Sequence, residues 1–438
     1  MTARALAIEV LARMEATDAW LTPVLDARLS ESPLKDSRDA ALATELCYGA
    51  TRRRLALDFA LRGVSDRRLG TLEDRVLAAL RVGAYQLFYG RMPARAAVAD
   101  TVEAIKELGL ARAAGFVNAV LRKLAALPEQ PLPPLEPRSG YLSVKESHPE
   151  WLVERWLRAF GLEQTESMLA ADNQPPPLVL RTNSTRTTRE ALLVLLSEAA
   201  LAPEPTRASP AGVALVAKGR VDALLGYREG LWQVQDEAAQ LVVQYAEFER
   251  GARVLDVCAA PGGKTCQLAE RGPVVALDLH ARKLEGVRAE AARLGLLEQL
   301  TLRPHDATHP LPPELGAFDA VLLDAPCSGL GTLRRNPELR YRRTEEDLQR
   351  LCALQAVLLE RAKAAVRPGG LLVYAVCSTE PEEGPQQVER FLAASRDFAL
   401  LPPSGAVARD CPLTDGCLTT LPGLEGWDGF FAARLRRV

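Results

Sequence analysis

A few aspartates, two glycines and two of the eight cysteines are the residues of this 438-residue sequence best spaced for chemistry. The run RVLDVCAAPGGKTCQLAE (253–270) reads as a strand, a glycine-bearing turn and a helix start. Adjacent Gly262 and Gly263 let backbone approach a ligand closely, and the helix behind them presents unpaired N–H groups. A phosphate-binding P-loop needs glycine where this chain has Cys258, and the G-x-G-x-x-G of a dinucleotide site is absent. What remains is a nucleoside ligand that requires no phosphate cradle, such as S-adenosylmethionine. The strand VVALDL brings Asp278 to its end, about twenty residues past the first turn, where a carboxylate can accept from both ribose hydroxyls. Asp306 in HDAT is a candidate partner for an adenine amine, and Asp324 closes the next strand in LLDAPCSG. Any one of these can be a helix cap. Three in order, at the carboxyl ends of successive strands, is the layout expected for a ligand lying across an open α/β sheet.

Two cysteines follow strands in the same region, Cys327 in DAPCSG and Cys377 in YAVCST. A thiolate adding to carbon 6 of a cytosine makes the ring enamine-like, so that carbon 5 becomes a nucleophile. A free cysteine, with a pKa of about 8.5, is only about 3% thiolate at neutral pH, so such a site must lower the pKa or move the proton away. A carboxylic acid near ring nitrogen 3 would drain charge from the adduct, and Asp324 is the natural candidate. The other cysteines read as small buried apolar residues. No CxxC pair occurs and the four histidines stand near no zinc-like spacing, so no metal is expected.

Something must hold these residues in place. From 236 to 438, short Val- and Leu-rich runs (RVLDVC, PVVALDL, FDAVLLDA, GGLLVYAVCS) alternate with helical stretches, which predicts a doubly wound, Rossmann-like α/β sheet. Residues 1–125 read as helix after helix, with apolar residues three and four apart. Residues 126–140 concentrate five prolines and read as a linker. Between 141 and 235, strand candidates (PLVLRTN, GVALV, GLWQV) alternate with helical stretches (PEWLVERWLRAF, TTREALLVLLSEA), giving a small α/β, RRM-like module. The fold class is therefore multidomain: all-α, then small α/β, then Rossmann-like. No apolar run is long enough to span a bilayer and MTARALAIEVLARMEA carries charges in its pattern, so a cytoplasmic protein is expected. Net charge is −2, yet residues 1–125 hold 19 basic against 15 acidic residues. Clusters such as Arg52-Arg53-Arg54 and Arg334-Arg335 suit phosphates, and they equally suit a solvated arginine-rich surface.

CAAPGGKT, DAPCSGLGTLRRNPELR, YAVCS and the closing LPGLEGWDGFF together resemble the bacterial Sun/Fmu family of RNA cytosine-5 methyltransferases, specific for 16S ribosomal RNA. ELCYGATRRR, LRVGAYQLFYGRMPARAAVADTVE and GFVNAVLRKL are similar to that family's NusB-like RNA-binding domain, and GLWQVQDEAAQLV to its approach to the methyltransferase core. The resemblance covers essentially the whole chain. It implies Cys377 as nucleophile and Cys327 as the second cysteine that promotes release of the methylated base. It also implies that S-adenosylmethionine is held by Cys258, Ala259, Ala260, Pro261, Gly262, Gly263, Lys264, Asp278, Asp306 and Asp324, with Asp324 serving both ligand and base. Arg334, Arg335 and Asn336, beside the catalytic turn, are candidates to hold the RNA backbone around a cytosine that has left its stack. Val376 stands where the family has threonine, so a hydroxyl that would orient the cysteine or the RNA is missing. The expected partner is 16S ribosomal RNA and the expected state a monomer, with no membrane contact. The same chemistry on transfer RNA, or a non-catalytic NusB-like RNA-binding protein, are the alternatives. An intact pair of cysteine motifs argues against the latter, because a binding module needs neither thiol.

Overall fold

The computed structural model describes residues 1–17, 19–34, 38–215, 221–423 and 425–438. Val216, the end of the expected strand GVALV, and Leu424, within LPGLEGWDGFF, lie outside the described residues. The chain forms two compact units, one of Met1–Pro175 with Leu333–Arg342, the other of Pro176–Thr332 with Arg343–Val438.

The first unit is helical. Helices Ala3–Ala16, Leu21–Glu31, Arg38–Arg52, Arg54–Val64, Asp74–Tyr89, Ala94–Glu107 and Ala111–Ala125 pack around Leu6, Ile8, Leu46, Leu57, Leu80 and Leu121, all essentially fully buried. The apolar spacing read from the sequence is the stripe each helix turns inward. A Cβ at Gly83 would sit 2.5 Å from a methyl of Leu121, so a side chain there would push helix Asp74–Tyr89 off helix Ala111–Ala125. Inside this unit Arg81 is fixed by Asp58 through Nε and Nη2 at 2.7 and 2.8 Å. Helix Arg138–Glu146 starts within the proline-rich stretch, and helix Glu150–Ala171, which opens with EWLVERWLRAF, also clusters with this unit.

The second unit contains two sheets. The smaller joins β1 (Leu178–Thr182), β2 (Glu204–Pro205), β3 (Gly212–Leu215) and β4 (Trp232–Val234) in the order β2-β3-β1-β4, all antiparallel. Helix Arg189–Glu198 covers it through Leu192 and Leu196. The larger sheet comprises β5 (Val254–Asp256), β6 (Val274–Asp278), β7 (Leu300–Pro304), β8 (Phe318–Asp324), β9 (Val366–Val376), β10 (Phe398–Leu400), β11 (Leu413–Thr414), β12 (Cys417–Thr420) and β13 (Phe430–Arg437). Its order is β11-β12-β13-β9-β8-β5-β6-β7, with β10 also on β13. Pairing is parallel from β9 through β8, β5 and β6 to β7. β13, β10, β12 and β11 add an antiparallel extension to the parallel sheet expected from the sequence.

Successive side chains along each strand face opposite sides, so the two faces have separate cores. Val254, Ala276, Leu322 and Val373 pack with helices Glu237–Ala246 and Gly263–Ala269 on one side. Leu255, Leu277, Val321, Leu323 and Leu372 pack with helices Glu345–Ala365 and Pro385–Ala394 on the other. Both faces being covered is why these strands read as continuous apolar runs. Chain order reverses between β5 and β8, which opens a crevice at their carboxyl ends where ligands bind in sheets of this type.

Candidate active site

The turn after β5 lies at that crevice. Gly262 has φ +104°, a conformation that L side chains rarely adopt, and a Cβ there would also press on Val287 at 3.1 Å. Helix Gly263–Ala269 begins immediately after it. Asp278, at the end of the neighbouring strand β6, organises the turn from outside: one carboxylate oxygen accepts from Ala260 N at 3.2 Å, the other from His280 N at 2.9 Å. The carboxylate is half-buried and Leu279 beside it is exposed, so polar and apolar groups meet at the mouth of the turn. The residues present fit a nucleoside ligand: a backbone turn with no side chain at its tightest point, and a carboxylate one strand away.

Beneath the turn, Thr265 Oγ1 donates to Asp256 at 2.7 Å. Asp256 is fully buried, and burial pushes its carboxyl up to about 7, with the Thr265 hydrogen bond opposing. Burial likewise pushes the Cys258 thiol up, with the Asp256, Asp324 and Asp278 carboxylates adding to the shift. Lys264 reaches across to Asp324, at the end of β8, with Nζ 2.7 Å from the carboxylate. Burial draws the Lys264 pKa down, but Asp324, by charge and hydrogen bond, and then Cys377 outweigh it, so the ammonium is held charged. Asp306 follows β7 and accepts from Thr308 N and Oγ1, which hold its carboxyl below the usual carboxylate range.

The two candidate thiols meet. Cys327 follows β8, Cys377 follows β9, and those strands are parallel neighbours, so the loops leave the sheet side by side. Sγ of Cys327 is 3.3 Å from Sγ of Cys377, and both residues are half-buried. The hydrogen bond to Cys377 and burial together push the Cys327 thiol well above its ordinary range. The adjoining Ser328 and Ser378 are buried, with their hydroxyls 3.1 Å apart. Both bind the carboxylate of Glu383, a buried residue that the sequence reading did not single out. Nothing local marks it, because a glutamate in EPEEGP reads as a solvated loop charge; nor was Asp256 singled out. Val376 is fully buried in the apolar core that includes Leu323, Val321 and Tyr374, and it lends Cys377 no hydroxyl.

Arg334, Arg335 and Asn336 belong to the segment Leu333–Arg342 of the helical unit. Arg334 is buried and donates to the Pro175 carbonyl, while its own carbonyl accepts from Arg52 at 2.9 Å. Arg335 and Asn336 are half-buried. In the same segment Arg340 is fully buried and donates to the carbonyls of Arg52, Ser147 and Asp172 and to Asn173 Oδ1. Tyr341 donates to the Thr51 and Ser147 carbonyls. The arginine-rich run is thus largely internal structure.

No helix among the described residues is long and apolar enough to cross a membrane. The pattern of the 16S rRNA methyltransferase RsmB/F family matches residues 243–436, that of the NusB family residues 1–126, and that of the RsmF/B-like ferredoxin-like domain residues 148–222. A Synechocystis protein named probable ribosomal RNA small subunit methyltransferase B is 36% identical over 100% of both chains. The ribosomal RNA small subunit methyltransferase B of Pseudomonas putida is 37% identical over 100% of this chain and 99% of its own. The crystal structure of PH0851 has the same fold, with a TM-score of 0.84 at 24% identity over 100% of this chain and 99% of that one. With likeness of this extent along its whole length, the chain belongs to the ribosomal RNA small subunit methyltransferase B family and is an S-adenosylmethionine-dependent RNA methyltransferase.

Proposed function

We propose that the protein methylates carbon 5 of one cytosine in 16S ribosomal RNA through a covalent adduct on Cys377. The carrying observation is the contact between the two sulfurs at the carboxyl ends of β8 and β9, 3.3 Å apart. S-adenosylmethionine, when bound along residues 258–264 with its ribose on Asp278 and its adenine toward Asp306, supplies a methyl group on a positively charged sulfur. The Lys264 ammonium stands near Cys377. Cys327 donates its S–H to the Cys377 sulfur. Cys377 attacks carbon 6 of the extruded cytosine, the electron pair moves through the ring to carbon 5, and carbon 5 would take the methyl group as its bond to the positively charged sulfur breaks, leaving that sulfur neutral. As carbon 6 is attacked, a proton passes from the Lys264 ammonium through Asp324 to ring nitrogen 3, and it returns the same way once carbon 5 carries the methyl group. Once the Cys377 sulfur is bonded to carbon it no longer carries the charge that kept the proton on Cys327, so Cys327 loses that proton to solvent. The Cys327 thiolate then takes the proton from methylated carbon 5. The 5,6 double bond re-forms and Cys377 leaves as a thiolate, which restores the starting pair of Cys327 thiol and Cys377 thiolate, the proton given to solvent being the one the reaction releases.

The helical unit is assigned to RNA affinity on the basis of its basic surplus, with Arg335 and Asn336 meeting the RNA backbone and Arg334 anchoring their loop from within. The deciding experiment is methyl transfer from labelled S-adenosylmethionine to RNA from cells lacking this gene, followed by bisulfite sequencing. The expected result is one newly protected cytosine in 16S ribosomal RNA. Label confined to transfer RNA, or no label at all, overturns the reading.

A further inference from the structure

Glu383 is a carboxylate with no solvent exposure and no ion-pair partner among the described residues, set in the loop that follows Cys377. Burying such a group costs several kcal/mol unless hydrogen bonds replace its water. Here four donors do so. One oxygen accepts from Ser328 N at 2.8 Å and Gln355 Nε2 at 3.0 Å, the other from the hydroxyls of Ser328 and Ser378, each at 2.5 Å. Gln355 also donates to the Pro326 carbonyl at 3.0 Å, so the residues on both sides of Cys327 are held. The glutamate is itself fixed by Tyr374, whose hydroxyl donates to the Glu383 carbonyl at 2.6 Å. The donors come from three separate stretches of chain, and three of the four belong to the two serines that directly follow the reactive cysteines.

We propose that Glu383 is a positioning residue for methyl transfer: its buried carboxylate clamps the two Cys-Ser dipeptides together and so sets the contact between the sulfurs of Cys327 and Cys377. The importance of that contact rests on the proposed function; the clamp itself does not. The grip is uneven, with three ties to residues 326–328, counting the one through Gln355, against a single side-chain tie to Ser378. Loss of the carboxylate therefore releases the Cys327 loop more than the Cys377 loop, and base release suffers more than attack.

The sulfur–sulfur distance can be read without RNA. Diamide oxidises two touching thiols to a disulfide, taking up their two electrons and two protons, and mass spectrometry of tryptic peptides reports the 327–377 bond. In the parent the sulfurs need only close from 3.3 Å to about 2.05 Å, so the bond forms readily. Glu383→Ala removes the acceptor on which four donors converge. It should slow this disulfide at least about ten-fold and, given RNA and S-adenosylmethionine, accumulate the protein–RNA adduct, because displacements of an ångström cost up to about a hundred-fold in reactions that depend on geometry. Cofactor affinity should stay at the parent value. Glu383→Gln keeps the shape and one acceptor oxygen, and the serine hydroxyls can turn to accept from its amide, so its disulfide rate should return toward the parent's. A parental disulfide rate in Glu383→Ala, or a rate in Glu383→Gln as slow as in Glu383→Ala, overturns the clamp. If Glu383→Ala does not fold, Ser378→Ala, which removes the Glu383 tie to the Cys377 loop together with the Ser378 hydroxyl's contacts to Ser328 Oγ and Glu380 N, carries the same test. A parent that fails to methylate RNA overturns the proposed function and leaves the disulfide measurement standing.

Discussion

Replacing the two thiols one at a time separates forming the RNA adduct from breaking it. Cys327→Ala deletes one half-buried sulfur, a loss of about 1 kcal/mol of packing that the second unit can absorb. It leaves Cys377 and the Lys264–Asp324 pair untouched, so attack and methylation proceed. What disappears is the thiol 3.3 Å from the Cys377 sulfur, proposed above to take the carbon 5 proton. Loss of a positioned acid–base group slows its step by about 10²–10⁴, equivalent to about 3–5 kcal/mol of barrier. If methylation and elimination run at similar rates in the parent, about half of the enzyme carries RNA at steady state; a hundred-fold slower elimination raises that to about 99%. On a denaturing gel Cys327→Ala should therefore give a heavy band that vanishes with ribonuclease, and it should turn over about once. Cys377→Ala should give neither band nor methylated product. An adduct in Cys377→Ala and none in Cys327→Ala would reverse the two roles. Full turnover in both variants would refute covalent catalysis.

Asp278→Ala removes the proposed ribose acceptor and two backbone hydrogen bonds around the turn, so calorimetry should show S-adenosylmethionine binding weakened by about 1–3 kcal/mol; unchanged affinity removes Asp278 from the ribose role. Arg340→Met strips a donor from four buried acceptors and should lower the stability of the helical unit by about 3–5 kcal/mol in urea unfolding, whereas a loss below the scatter of the measurement would contradict the tie drawn for Leu333–Arg342. His148 is fully buried, and burial with the nearby Arg340 charge holds its pKa well below the ordinary value of 6.5, despite Asp172 at 3.3 Å. The unfolded chain therefore takes the proton first, and stability falls as pH drops below about 6.5, by up to about 1.4 kcal/mol per pH unit. Melting curves of the parent should show this additional acid sensitivity relative to His148→Gln; identical slopes would remove His148 as the cause.

Features that depend on a few consecutive residues were legible in the sequence. The glycine turn at 262–263 is one, because only glycine accepts φ +104° without strain. The buried parallel strands are another, since a strand covered on both faces has no polar side to show. Asp278 and Asp324 stand at strand ends whose order follows from the βαβ pattern. Tertiary structure decided what depends on partners distant in sequence. Cys327 and Cys377 lie 50 residues apart and touch because β8 and β9 became parallel neighbours, a pairing that neither motif encodes alone. The antiparallel extension from β13 escaped the sequence reading because alternation marks a strand but not its neighbours. Arg334 reads in the sequence as an RNA-facing or solvated charge and Arg340 is not singled out there, since an arginine carries no local mark of burial. It is the carbonyls collected from residues 52, 147, 172 and 175 that replace water around them. Glu383 is the same case with the sign reversed: its charge is tolerable inside only because serines and a glutamine from separate segments converge on it, and convergence is a property of the fold.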